Sequence, residues 1–331
     1  MTQHRPAQDA TATEPTDRRT WAYAMVVLAT LFWASNMILG RALRDQIGPF
    51  TLAAARMTVA SLIFLPLLRR LPPRERALGR EWPWLLAMAL LGMVGCPVSL
   101  YLALRYTTAS ATSLINGTGP LMTMLLAAWL LHVHLSRREI GGALLSLLGV
   151  VLVVGGGQLQ RSASGASGFL RDFSINPGDG IMLINVALWG LYSVISQVVT
   201  RRRAAVWATA YSIWFALPFL IPAAVFEWRQ TPVSITPTVL LSVLFIGVFS
   251  TCLAFLAWNE GVRRLGSAGA MAFYNLLPVF GALLGAIFLA ERLTAVQFLG
   301  GGLIIAGGLL AALRLAPRRT ARTVAGYSRS D

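Results

Sequence analysis

Long apolar runs recur along this chain with almost no charge inside them, and they restrict what it can fold into. Several approach the roughly 20 residues needed to cross a bilayer as a helix. In hydrocarbon every backbone N–H and C=O must be satisfied within the segment, so such runs form helices or closed barrels. Of the 331 residues, 56% are hydrophobic and 12% charged. A soluble domain carries about 25% charged residues, and the mean hydropathy here is +0.64. The reading is an all-α membrane protein with ten transmembrane helices, at 21–40, 49–68, 83–104, 108–131, 138–156, 180–200, 205–226, 237–258, 268–290 and 295–314.

Most connections between these spans are short. The exception is the Gly- and Ser-rich stretch around 158–178, which separates two sets of five: one at 20–157, the other at 179–315. Residues 1–19 and 316–331 are polar tails, expected to be disordered. The first apolar run is too long for a removable signal peptide and lacks a small-residue cleavage site. The net charge of +15 comes entirely from arginine, since the chain has no lysine. The arginines sit in short clusters beside the spans, as orientation signals do, and no basic stripe with interleaved aromatics points to nucleic acid. Counted by loop, 20 fall on the side of the N-terminus and 7 on the other. That asymmetry predicts that both termini are cytoplasmic and that 158–178 is external. Cys96 and Cys252 lie in apolar spans and imply no disulfide framework.

The two sets of five are copies. A shift of 158 residues superposes Pro120 on Pro278, Ser136 on Thr294, Gly142 on Gly300 and Gly149 on Gly307. Nearer the start of each half a shift of 156 pairs Trp33 with Trp189 and Pro66 with Pro222. Because five is odd, the second copy enters the membrane from the opposite face. The chain therefore reads as two inverted five-helix repeats, an arrangement whose substrate sites lie near the midplane where helices are interrupted. Pro120 and Pro278 are candidate hinges: an interior proline removes a helix hydrogen bond at a cost of about 3 kcal/mol. Irregular backbone at that depth is tolerated where protein or a water-filled cavity covers it.

Polar side chains within the spans are the candidate lining of such a cavity. They are Trp33 and Asn36 in the first span, Tyr101 in the third, Asn116 in the fourth, Trp189 and Tyr192 in the sixth, and Tyr274 and Asn275 in the ninth. Singly, each can equally be interhelical glue or an interface anchor. Arg56, alone among the basic residues, falls inside a span, roughly 10 Å from its start at 1.5 Å per residue. It admits two readings. Its guanidinium could face the cavity and pair a substrate carboxylate bidentately, or it could snorkel to the interface or bond helix-end carbonyls.

All 13 acidic residues fall in tails, loops or span ends. Proton relays in pumps use acids within the spans, so the coupling ion stays open. His4, His132 and His134 form no constellation with an acid or cysteine, and no glycine-rich phosphate loop follows a strand. No enzyme, metal or cofactor is implied.

The segment "FWASNMILGRAL" at 32–43 and the stretch "LLPVFGALLGAIFLAERLTAVQFLGGGLIIAGG" at 276–308 resemble the drug/metabolite transporter superfamily, EamA type. The resemblance covers about 21–315, and includes Arg56, Glu291 and Gln297. The first copy has Val133-His134 where the second has Glu291-Arg292, so the glutamate is not required in both halves. The resemblance implies a multi-pass protein of a bacterial inner membrane that moves small metabolites, amino acids or amphipathic compounds outward by alternating access. Import of a sugar or nucleotide-sugar by the same fold, and a non-transporting sensor or scaffold, remain the alternatives.

Overall fold

A computed structural model describes residues 16–70, 72–131, 137–159, 176–200, 203–231, 233–258, 260–261, 264, 273–274 and 276–312. The expectations for Asn275, for the tails before residue 16 and after 312, and for most of the 158–178 linker lie outside them. Among the described residues the chain is helical, with no strand. We number the helices α1 Thr16–Ala42, α2 Pro49–Arg69, α3 Trp82–Tyr106, α4 Ala109–Asn116, α5 Gly119–Leu131, α6 Arg137–Leu159, α7 Pro177–Thr200, α8 Ala205–Gln230, α9 Pro237–Trp258, α10 Leu276–Leu289 and α11 Ala295–Ala312. Six of these (α1 from Thr20, α2, α3, α7, α8 and α9) are long and apolar enough to cross a membrane. The bundle turns large apolar side chains such as Leu241, Phe288 and Phe298 outward. An apolar exterior of this extent is costly in water and free of cost in lipid.

Local chemistry sets the helix ends. Thr108 Oγ1 accepts from Ala111 N at the start of α4, and Thr236 Oγ1 from Val239 N at the start of α9. Proline occupies the first turn of α2 and α9, where a missing N–H costs nothing.

The span expected at 108–131 is not one helix, and this corrects the sequence reading. It divides into α4 and α5 at Gly117-Thr118. The physical cause is Pro120, which has no N–H for the carbonyl four residues back, that of Asn116. Gly117 N bonds instead to the carbonyls of Ser113 and Leu114, and Thr118 N to Ile115. The ring of Pro278, in α10, packs on Gly117, where an added Cβ would lie 2.7 Å from Pro278 Cγ. The irregularity at Pro120 is therefore a break ahead of the proline, and not a bend centred on it.

Two further departures lie inside α3 and α9. Ala89–Gly95 and Ile246–Leu253 are π-helical, and their starts are 157 residues apart. Cys96 N reaches back five residues to Leu91 O, and Ala254 N to Phe249 O. In α3 the following Pro97 withholds the N–H that Met93 O would receive. In α9 Thr251 Oγ1 donates to Ile246 O at 3.0 Å.

The halves meet along α6 and α11. A Cβ on Gly149 would come 2.5 Å from Gly300 O, and one on Gly307 2.5 Å from Gly142 O. Under the 158-residue shift these two contacts exchange, as they must about a local two-fold. Ser146 Oγ to Ile304 O at 3.2 Å joins positions 158 apart, so it lies on that axis. Small residues let the backbones approach this closely.

Gly149→Ala should therefore lower stability by about 1–3 kcal/mol through overpacking. Gly141→Ala on the same helix meets open space and should be neutral or mildly stabilising. Thermal unfolding of the two variants in detergent checks the contrast.

Candidate functional site

Where the axis crosses the bundle centre, repeat-matched residues face each other. Trp33 and Trp189 meet edge to face at 5.4 Å between ring centroids. Tyr274 donates its hydroxyl to Asn116 Oδ1 at 3.2 Å, again across 158 residues. Each of these last two residues stands four before a proline, and Asn116 ends α4 where the chain breaks from helix. Around them lies a cavity of about 70 Å³, lined among others by Asn36, Arg56, Cys96, Asn185 and Phe255.

Arg56 is 5% exposed. It is buried in the bundle and does not snorkel to the interface. Its Nε donates to Thr251 Oγ1 at 2.8 Å and its Nη1 to Tyr101 OH at 2.9 Å. Tyr101, accepting from the guanidinium, donates its own hydroxyl to Asn36 Oδ1 at 2.6 Å. The guanidinium thus joins α2, α3 and α9, with α1 held through Asn36. The π turn of α9 is what swings Thr251 into reach. Among the described residues no carboxylate pairs with Arg56. Of the five N–H groups on a guanidinium, two are engaged, and the remaining ones are left for the cavity.

Of the residues the sequence singles out, Trp33, Asn36, Arg56, Asn116, Trp189 and Tyr274 line the cavity together. Tyr101 stands behind Arg56, while Tyr192 stacks behind Trp189 at 5.3 Å. Asn185, Phe255 and Thr251 escape a reading of the sequence. Asn185, an amide in the apolar first half of its span, is the detectable one of the three. Its Nδ2 bonds Cys96 O and Ser99 Oγ, tying α7 to the π turn of α3. Trp33 Nε1 bonds Ser250 O at 3.2 Å. Trp189 Nε1 is buried without a partner among the described residues.

Both ends are fastened. On the distal face, where the 43–48 and 290–294 loops lie, Glu227 accepts from Phe50 N and Thr51 N at the start of α2. Glu291 accepts from Ala109 N and Ser110 N at the start of α4, at 2.9 and 2.8 Å. Each is a carboxylate from the second half capping a helix of the first, where N-terminal N–H groups and the helix dipole favour negative charge. Glu291 also borders a distal vestibule of about 360 Å³ with Arg41, Ser110 and Asp179. On the opposite face Tyr211 OH and Trp207 Nε1 bond Arg76 O, and Arg203 meets Glu81 at 3.4 Å. Ligand pockets run about 300–1,000 Å³, so the central cavity is smaller than a typical ligand pocket.

Two related helical halves, apolar outside and meeting around a largely apolar cavity with a few polar groups on their shared axis, define a multi-pass membrane transporter. Residues 20–155 and 176–313 match the EamA-like transporter family, and the chain belongs to it. An uncharacterized transporter of Archaeoglobus fulgidus is 27% identical, over 86% of this chain and 95% of that one. A probable terminal-alkyne amino-acid exporter of Streptantibioticus cattleyicolor is 26% identical, over 92% and 97%. A probable amino-acid metabolite efflux pump of Salmonella typhimurium is 23% identical, over 90% and 97%. A solved crystal structure shares the fold with a TM-score of 0.57 and 21% identity, covering 88% of this chain and 96% of that one.

The Arg56 network makes a stability prediction. Leaving a buried charge without partners costs about 3–5 kcal/mol, whereas replacing it by an apolar side chain of similar volume is far cheaper. Tyr101→Phe combined with Thr251→Val should therefore destabilise more than Arg56→Met. Melting temperatures in one detergent decide the order.

Proposed function

We propose that this protein is a secondary transporter that exports small carboxylate-bearing metabolites by alternating access around the central cavity. The observation that carries the reading is Arg56: a buried guanidinium, anchored by two neutral hydroxyls, with unengaged N–H groups in the cavity and no acid beside it among the described residues. A carboxylate would both neutralise it and accept a bidentate pair. Relatives named as amino-acid exporters support efflux of small organic acids.

In this reading α4 with α5, and the three shorter apolar helices at 140–153, 276–289 and 295–310, complete ten passes in two inverted repeats, bounded at 20–157 and 179–315. Both termini are cytoplasmic, in the inner membrane of a bacterium, and the distal face is external. The Gly117-Thr118 break ahead of Pro120, with Pro278 seated on it, is the hinge. The Glu227 and Glu291 caps are the outer latches. A cap is worth about 0.5–2 kcal/mol, small enough to open within a transport cycle and large enough to bias it.

Counterflow in proteoliposomes over a panel of amino and organic acids tests the proposal. At least one carboxylate should exchange faster than in empty vesicles, with Arg56→Gln reducing the rate tenfold or more. Wild-type turnover in folded Arg56→Gln would overturn it. In cells, loss of the gene should sensitise to an accumulating metabolite, whereas a growth defect confined to an external nutrient would reverse the direction.

Topology supplies a separate check. A reporter fused after residue 168 should be active only if it works outside the cytoplasm, and one after residue 331 only inside. Both reporting the same side would break the ten-pass count.

A further inference from the structure

The hydrogen bonds around the central cavity each have an assignable direction. Tyr101 accepts from Arg56 and so must donate to Asn36 Oδ1, which leaves the Asn36 Nδ2 amino group as an unengaged donor. Asn116 Oδ1 likewise receives Tyr274 OH, leaving its Nδ2. Trp189 Nε1 has no partner among the described residues. With the remaining N–H groups of Arg56, these make the wall rich in open donors. Several acceptors are engaged, Ser250 O by Trp33 Nε1, Cys96 O by Asn185 Nδ2 and Thr251 Oγ1 by Arg56, while Asn185 Oδ1 stays open as a neutral acceptor without charge to offer an ammonium. Among the described residues no Asp or Glu side chain lines the cavity.

The aromatic wall does not substitute for an acid. An ammonium needs an open ring face. Trp189 is stacked on both Tyr192 and Tyr274, at interplanar angles of 28° and 13°. Trp33 packs edge to face with Trp189, Phe255 and Tyr274. Much of the ring surface is thus engaged with other rings, whose edges carry the positive part of the quadrupole.

Charge then discriminates among solutes. The empty cavity carries the single positive charge of Arg56. A monoanion brings the total to zero, a zwitterion leaves it at one, and an amine raises it to two. A buried charge without a counter-charge is strongly disfavoured.

We infer that the central site selects apolar or aromatic monocarboxylates that lack a free α-ammonium group, in preference to the corresponding amino acids. The inference rests on the carboxylate reading above and narrows it. Three probes that differ by one group each test it: 3-phenylpropanoate, L-phenylalanine and phenethylamine, titrated calorimetrically into the purified full chain in detergent. 3-Phenylpropanoate should bind at least tenfold more tightly than L-phenylalanine, and phenethylamine should not bind. Equal or tighter binding of L-phenylalanine, or binding of phenethylamine, overturns the inference. So does absence of binding by all three, while the transport panel with Arg56→Gln still judges the broader reading by itself.

A variant tests the cause. Asn116→Asp supplies the missing counter-charge, so it should narrow or reverse the preference for 3-phenylpropanoate. An unchanged ratio in folded Asn116→Asp, whose melting temperature is measured alongside, overturns the missing-counter-charge explanation.

Discussion

Lipid offers a backbone no hydrogen bonds, so each departure from α-helical pairing must be answered from within the protein. This bundle contains such departures in matched pairs: π turns in α3 and α9, and the prolines at 120 and 278. The Gly117-Thr118 break adds a third irregularity beside them. All border the axis between the halves, where side chains take over what the helix gives up. Thr251 returns a bond to Ile246 O and so stands where Arg56 can reach it. The irregular backbone is what brings polar groups to the centre.

Arg56 depends on those irregularities. A guanidinium at this depth needs partners, and the chain supplies hydroxyls from two helices in place of an acid. Hydroxyls satisfy individual N–H groups and leave the charge standing. The charge of Arg56 is therefore left without a counter-charge among the residues that line the cavity.

The contacts at the two faces are built from different chemistry although the halves are copies. Carboxylates on helix N-termini join the distal side, whereas aromatic donors on the Arg76 carbonyl and one ion pair join the other. Duplication supplied the scaffold, and substitution gave each face its own contacts. That matches the sequence, in which Glu291 has Val133 as its counterpart.

Much of this is legible in the sequence because it is local or periodic. Apolar length dictates helices, the 158-residue shift exposes the repeat, and Pro120 marks the broken span, since a proline's missing N–H acts four residues away whatever surrounds it. The absence of acids from the spans is equally plain. Which polar residues meet is not. Arg56 and Thr251 are 195 residues apart, and Trp33 and Ser250 are 217 apart. The direction in which Tyr101 shares its proton depends on both of its neighbours being in place. Nothing in α9 without its fold announces a π turn, because no proline forces one there. Helix formation is settled by neighbours three or four residues along the chain. The donor and acceptor balance of a cavity is settled by how helices from both halves are rotated against each other, and only tertiary packing fixes that.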